Sequence, residues 1–102
     1  MSPKQQNLSA FTDTDGHALQ LSLYMFDGCP FCARVVDGAE RLGLALPTHD
    51  IRKDPEALAE LLRVGGKKTV PCLFINGRAL YESQDILAYL ASQVRPRPQQ
   101  PT

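Results

Sequence analysis

Along the stretch Leu19 to Phe26, apolar and polar side chains first alternate and then run unbroken apolar, in the order Leu-Gln-Leu-Ser-Leu-Tyr-Met-Phe. Alternation of period two passing into an apolar run predicts a strand that enters a core. Asp27-Gly28 ends it, and a helix is predicted from Pro30. Phe31, Val35, Ala39 and Leu42 recur at spacings of four, four and three, one apolar stripe of a helix, with Arg34, Asp37 and Arg41 off it. Gly43 follows as a C-terminal stop. Leu44-Ala45-Leu46 opens a second predicted strand toward Asp50 and Ile51, which Pro47 relegates to a sheet edge.

Asp54-Pro55-Glu56 is a helix start, an N-cap followed by proline at the first helical position. Leu58, Leu61 and Leu62 are its predicted buried face, and Gly65-Gly66 stops it. Val70 to Ile75 is a short apolar run that reads as a strand, Asn76-Gly77 is a two-residue hairpin signal, and Arg78 to Tyr81 is the return strand. Ser83 then caps a last helix with Ile86, Leu87, Leu90 and Val94 as apolar positions. The order strand, helix, strand, helix, hairpin, helix is a βαβ unit followed by ββα, which predicts an α/β fold with helices layered on a mixed sheet in two layers.

The flanks are different. Residues 1–16 are mostly polar, end in the turn signal Thr12-Asp13-Thr14-Asp15-Gly16, and are expected to be a partly ordered extension with Leu8 and Phe11 as its packing candidates. Residues 17–94 are expected to be the one domain, and residues 95–102 a disordered, proline-rich tail. A chain of 102 residues with 43% hydrophobic side chains suits a single core. Eleven basic and eleven acidic side chains cancel, so neither a phosphate backbone nor an anionic membrane is an expected partner. No apolar run approaches the roughly 20 residues that span a bilayer. The start of the chain shows no apolar leader segment, and the expected compartment is the reducing cytoplasm.

Candidate chemistry sits at Cys29-Pro30-Phe31-Cys32, where a predicted strand passes into a predicted helix. The unpaired N–H groups and positive dipole end of a helix N-terminus favour a thiolate at Cys29 over a thiol. A thiolate is the species that attacks a disulfide sulfur. Cys32, three residues on and further inside the helix, is placed to close a disulfide in a second step. Pro30 fixes φ at the first turn and has no N–H to leave unpaired. Two blander readings stand beside this one: half of a zinc site completed by Cys72 and His49 or His17, or two small buried residues. Cys72, inside an apolar strand, reads as a packed core residue.

Gly28-Cys29-Pro30-Phe31-Cys32, Thr69-Val70-Pro71 and Glu82-Ser83, in that order and spacing, resemble the motifs of a glutaredoxin, a family of thioredoxin-like fold. The resemblance in element order covers roughly residues 19–94. It implies a mixed four-stranded sheet flanked by helices, and a cis Val70–Pro71 bond, which an X–Pro peptide adopts at a cost of only about 0.5–1 kcal/mol. It also implies that the Val70 backbone receives the cysteine of a bound glutathione. Glu82-Ser83 resembles the glutathione-transferase version of its block, in which the serine at a helix N-terminus holds the γ-glutamyl carboxylate; a helix N-terminus is by itself an anion site. Lys68 matches the basic residue that pairs with the glycine carboxylate of glutathione. One position departs from the pattern: members commonly carry Lys or Arg three residues before the first cysteine, and here that place is Phe26. The missing cation is expected to weaken thiolate stabilisation and glutathione binding.

The expected function is therefore a glutathione-dependent thiol–disulfide oxidoreductase. Cys29 and Cys32 are its dithiol, and Lys68, Val70, Pro71, Glu82 and Ser83 hold glutathione. Glutathione is a co-substrate, and no metal or organic cofactor is expected. The expected partners are disulfide-containing or glutathionylated proteins, met by a monomer. Two other classes are carried beside it: an iron–sulfur cluster carrier that bridges two protomers through Cys29 and glutathione, and a glutathione-transferase-like binding module. Proline directly after Cys29 argues against the first, and the short chain lacks the helical domain that the second needs.

Overall fold

The computed structural model describes residues 11–96. Its main sheet has the order β4-β3-β5-β6, built from β3 (Leu21–Met25), β4 (Thr48–Asp50), β5 (Cys72–Ile75) and β6 (Arg78–Tyr81). Strands β3 and β4 run parallel, with Leu23 opposite Thr48, while β3–β5 and β5–β6 are antiparallel, with Tyr24 opposite Cys72 and Cys72 opposite Tyr81. The parallel pair needs a crossover, which α1 (Pro30–Arg41) supplies. The antiparallel pair β5–β6 needs only Asn76 and Gly77, both with positive φ (49° and 86°), the backbone of a tight hairpin turn. The mixed four-stranded sheet and the βαβ–ββα order thus match the expectation, and β4 is an edge strand.

The layering is different from the two layers expected. Helices α1 and α3 (Ser83–Gln93) share one core with Leu21, Leu23 and Leu73, whereas α2 (Pro55–Gly65) packs its Ala57 and Leu61 with Tyr24, Cys72 and Phe74. Neighbouring residues of β3 and β5 therefore belong to opposite faces, as the pleat requires. Because both faces of these two central strands are apolar, each must be covered, and the helices divide between them.

The predicted strand from Leu19 to Phe26 is interrupted at Gln20. The Gln20 N–H donates to Asn76 Oδ1 at 2.8 Å, and the Asn76 N–H donates to the Gln20 carbonyl at 2.9 Å. Upstream of that clamp, β2 (Ala18–Leu19) joins a separate antiparallel sheet of order β2-β1-β7 with β1 (Phe11–Thr12) and β7 (Arg95–Pro96). Phe11 lies opposite both Leu19 and Pro96 and is buried in the same core as Leu19 and Val94. The expected limits at residues 17 and 94 are therefore too narrow: one buried aromatic ring draws Phe11–Thr12 and Arg95–Pro96 onto the domain. Leu8 and the rest of the expected tail lie outside the described residues.

Helix α1 is turned away from the predicted stripe. Cys32, Val35 and Ala39 are its buried residues, while Phe31 is 55% exposed and Leu42 is also exposed. Both stripes have helical spacing; the one that buries the thiol wins. In α2 the Asp54 carboxylate accepts the Glu56 N–H at 3.0 Å, Pro55 is the first residue, and Leu62 of the expected face is exposed. No helix among the described residues is long and apolar enough to cross a membrane.

Candidate active site

The chain leaves β3 at Met25 and turns through Asp27-Gly28, where Gly28 takes φ +91°, a conformation that side chains disfavour. That turn delivers Cys29 to the cap position of α1, with φ −83° and ψ 113°, and Pro30 becomes the first helical residue. The Cys29 N–H donates to the Phe26 carbonyl at 3.3 Å, which fixes the cysteine against the end of the strand. Its sulfur plays the part of a capping acceptor: the Cys32 N–H donates to Cys29 Sγ at 3.3 Å. An acceptor in that place carries negative charge well, because an otherwise unpaired helical N–H points at it.

The two sulfurs are not equivalent. Cys29 is 7% exposed and Cys32 1%, and both are free thiols here. Burial, reinforced by the hydrogen bond with Cys29, pushes the Cys32 thiol up to about 12. Cys32 is therefore held as a neutral thiol, while Cys29 Sγ is the acceptor of its backbone N–H. Cys72, fully buried in β5 as the sequence suggests, is likewise pushed up, to about 11, chiefly by burial.

A second segment, the run leading into β5, lies at the end of the sheet where β3 finishes, since Tyr24 is opposite Cys72. The Val70–Pro71 peptide bond is cis. Thr69, Val70 and Pro71 line a hollow of about 140 Å³ together with Phe31, Glu82 and Ser83. Four of the five expected glutathione-binding residues are thus brought together, on one side of the Cys-Pro-Phe-Cys turn. Phe31, expected in the core, is instead an exposed wall of that hollow.

The expected cap of α3 is shifted by one residue. Glu82, not Ser83, occupies the cap position; it has φ +77° and makes no side-chain cap bond, and its carbonyl accepts the Ile86 N–H at 2.9 Å. The abrupt turn out of β6 consumes the residue before the helix, which leaves Ser83 as the first helical residue on the hollow. A non-glycine residue in the left-handed region costs on the order of 1–3 kcal/mol and is characteristic of ligand clamps.

Lys68 lies elsewhere. It lines a separate hollow of about 440 Å³ with Phe26, Ile51, Arg52 and Leu58. There the Arg52 guanidinium sits over the Phe26 ring, 3.7 Å from its centroid. Nothing in the sequence singles out Arg52, one of eleven basic residues, since its partner is 26 positions upstream. Asp50 joins this corner to the cysteine turn. Its carboxylate accepts the N–H groups of Arg52 (2.8 Å), Lys53 (3.2 Å) and Asp27 (3.1 Å), and the Lys53 ammonium pairs with the Asp27 carboxylate. Burial works against the charge on Asp50, but those backbone donors outweigh it and hold its carboxyl below the usual range.

Comparison with known proteins fits this geometry. The glutaredoxin family model matches residues 21–80. A probable glutaredoxin of Synechocystis sp. is 31% identical over 70 residues, covering 68% of this chain and 80% of that protein. The hybrid peroxiredoxin of Haemophilus influenzae is 32% identical over 77 residues, 74% of this chain, and the chain spans only 32% of that protein's length. The crystal structure of wheat glutaredoxin superposes with a TM-score of 0.58 at 25% identity, over 71% of each chain.

Proposed function

Because this chain belongs to the glutaredoxin family and has its thioredoxin-like fold, we propose that it is a glutathione-dependent thiol–disulfide oxidoreductase working through Cys29 and Cys32. The observation that carries this reading is the asymmetry of the pair: Cys29 Sγ is the capping acceptor of α1, and Cys32 is a buried thiol pushed up to about 12.

The Cys29 thiolate attacks one sulfur of a target disulfide. A mixed disulfide forms, the target's S–S bond breaks, and the other target sulfur leaves as a thiolate that takes up a proton. Cys32 then gives up its proton and attacks Cys29 Sγ, which releases the second target thiol and closes the Cys29–Cys32 disulfide. One glutathione thiolate opens that bond at Cys29, and a second attacks the bound glutathione sulfur; the products are the reduced dithiol and oxidised glutathione. With a glutathionylated target, Cys29 takes the glutathione directly and a free glutathione resolves it, so Cys32 is not needed. Every electron pair comes from glutathione, and the cycle uses no metal or organic cofactor.

Glutathione's cysteine lies along the Val70 backbone beside Pro71, and its γ-glutamyl carboxylate takes the N-terminus of α3 at Ser83, with Glu82 turning the chain there. The convergence of these residues with Phe31 on one hollow supports that placement. Reducing equivalents of this kind are available in the cytoplasm, where the enzyme acts as a monomer on disulfide-containing or glutathionylated proteins.

The test is a pair of variants assayed on two substrates. Cys29→Ser abolishes reduction of both a protein disulfide and a glutathionylated peptide. Cys32→Ser loses the protein disulfide but keeps the glutathionylated peptide within a few-fold of the parent. Equal losses for the two variants on both substrates would overturn the assignment of roles.

A further inference from the structure

A third hollow, of about 270 Å³, lies along the flank of α1. Cys29 and Cys32 both line it, so an occupant lies next to the reacting sulfurs. Its apolar part is Met25, Phe26 and Val36, each half-buried, and its polar part includes three exposed acids, Asp27, Asp37 and Glu40. No basic residue lines it. The chain as a whole is neutral, with eleven basic and eleven acidic side chains, so this acidity is a matter of placement.

Helix α1 does the placing. Residues 33, 36, 37 and 40 recur at helical spacing and form one face, beside the buried stripe of Cys32, Val35 and Ala39. Arg34 of the same helix is turned toward Phe31 instead, its guanidinium 5.8 Å from the ring centroid, and lines a different hollow with Glu82 and Ser83. Asp37 pairs with Arg41 at 3.2 Å and Asp27 pairs with Lys53, while Glu40 is in no ion pair among the described residues. Exposed pairs of this kind hold weakly, so an arriving cation can take the partner's place.

Glutathione does not suit this hollow, because it carries two carboxylates against one ammonium and like charges disfavour the approach. A protein disulfide differs from it in that the chain continues on both sides of the attacked cysteine. Two residues of extended chain reach about 7 Å, enough to carry a side chain from Cys29 into a hollow that Cys29 itself lines. We propose that this acidic hollow docks the stretch of a protein substrate next to its attacked cysteine, and that the stretch it selects carries a Lys or Arg beside an apolar residue. The cation meets Glu40 and Asp37, and the apolar neighbour lies on Met25, Phe26 and Val36. The proposal rests on the thiol–disulfide reading above: the chemistry at Cys29 and Cys32 is unchanged, and the hollow decides which disulfides reach it.

The experiment uses two short peptides, each closed by one disulfide and identical except that both cysteines are followed by Lys-Leu in one and by Glu-Leu in the other. Glutathione is the reductant, and bis(2-hydroxyethyl) disulfide is the small uncharged reference substrate. The readout is the ratio of kcat/KM for the Lys peptide to that for the Glu peptide. In the wild type this ratio is about 5–10 at low salt and shrinks in about 0.5 M salt. Glu40→Gln combined with Asp37→Asn lowers it to about 2, and Glu40→Lys brings it below one, because complementary charge selects partners and like charge rejects them. Reduction of the small disulfide is the same in all of these variants. An unchanged ratio in the double variant, or a loss shared equally by the peptides and the small disulfide, overturns the proposal while leaving the oxidoreductase reading intact. A ratio near one in the wild type overturns it too, and a dimer on sedimentation that Glu40→Lys dissociates would then give the hollow to a second copy of the chain. A wild type that reduces neither the peptides nor the small disulfide overturns the underlying reading and this one with it.

Discussion

Two hollows lie near the Cys-Pro-Phe-Cys turn, one walled by its Phe31 and the other by Phe26, three residues before Cys29, and they are built by different means. The hollow of Phe31, Thr69, Val70, Pro71, Glu82 and Ser83 contains no basic residue. What it offers an anion is backbone, the unpaired N–H groups at the start of α3, and those are positioned by whole elements. The hollow of Phe26, Ile51, Arg52, Leu58 and Lys68 offers two cationic side chains above an apolar floor. Under the glutathione-dependent proposal, the first side would recognise by main-chain geometry, with weak salt sensitivity, and the second by charge, with strong salt sensitivity. The loop of residues 67–71 serves both, with Lys68 facing one hollow and Thr69 to Pro71 the other.

The largest expected effect undermines both sides together. Cys32 sits at the root of α1, and Cys72 in β5, opposite Tyr81 and directly after Pro71. Both thiols are pushed up from 9.0, Cys32 to about 12 and Cys72 to about 11, chiefly by burial. Above pH 9 the unfolded chain has lost protons that the native state retains, so stability is fully present below that pH and falls as pH rises toward 11–12. Each thiol contributes a slope of at most about 1.4 kcal/mol per pH unit in that window. Urea midpoints of the reduced protein between pH 8 and 11 should show this decline. Cys72→Ala, compared with its own value at pH 8, should show a shallower slope from pH 9 to 11, the remainder coming from Cys32 and from tyrosines that are also raised. An unchanged slope would mean that Cys72 does not help to seal the base of the shared loop.

What the sequence made legible follows the same division. Cys29 at a strand–helix junction, Asp54 capping α2, and the Asn76-Gly77 turn are all stated by residues within a few positions of one another, and each is found in the structure. The face of α1 was not legible in this way, because stripes starting at Phe31 or at Cys32 fit the helical period equally well. Only the packing against α3 and the sheet decides between them. Phe11 pairs with Leu19 and Pro96 across long separations, so its strand looked like part of a polar extension. The stack of Arg52 on Phe26 was invisible for the same reason. Local pattern located the backbone-built side, and only tertiary contact reveals the charge-built one.

A steric change at one glycine probes the shared loop more narrowly. A Cβ added at Gly65, in the last turn of α2, would lie 2.1 Å from Tyr81 Oη and 3.0 Å from its Cζ. The Tyr81 ring is rigid and has to move, and with it the hydrogen bond from its hydroxyl to the Lys67 carbonyl at 3.1 Å. Gly65→Ala should cost about 1–3 kcal/mol by overpacking, read from urea unfolding. It should also weaken glutathione use on both counts: a raised KM and a smaller preference for glutathione over the same tripeptide amidated at its glycine carboxylate. A change confined to stability would show that the loop keeps its place without Tyr81.

The smallest effect separates packing from hydrogen bonding at that same contact. Tyr81→Phe keeps the ring that fills the space beside Gly65 and removes the hydroxyl that holds the Lys67 carbonyl and also meets the Cys72 thiol. The Lys67 ammonium also lies over this ring, 4.5 Å from its centroid, and a phenylalanine preserves that contact. The carbonyl freed by the change is exposed and can turn to water, so the stability loss should stay near the low end for a hydrogen bond, about 0.5 kcal/mol. The loop, however, loses its tether just before Lys68. Under the proposed roles, Lys68 would act through a long side chain and Val70 and Pro71 through backbone leading into β5, so the charge-built side should respond first. The expected result is a modest drop, less than about twofold, in the preference for glutathione over its glycine amide, with the KM for the amide itself unchanged. If the KM for the amide rises instead, the tether positions Val70 and Pro71 as well, and the two sides of the site are one mechanical unit.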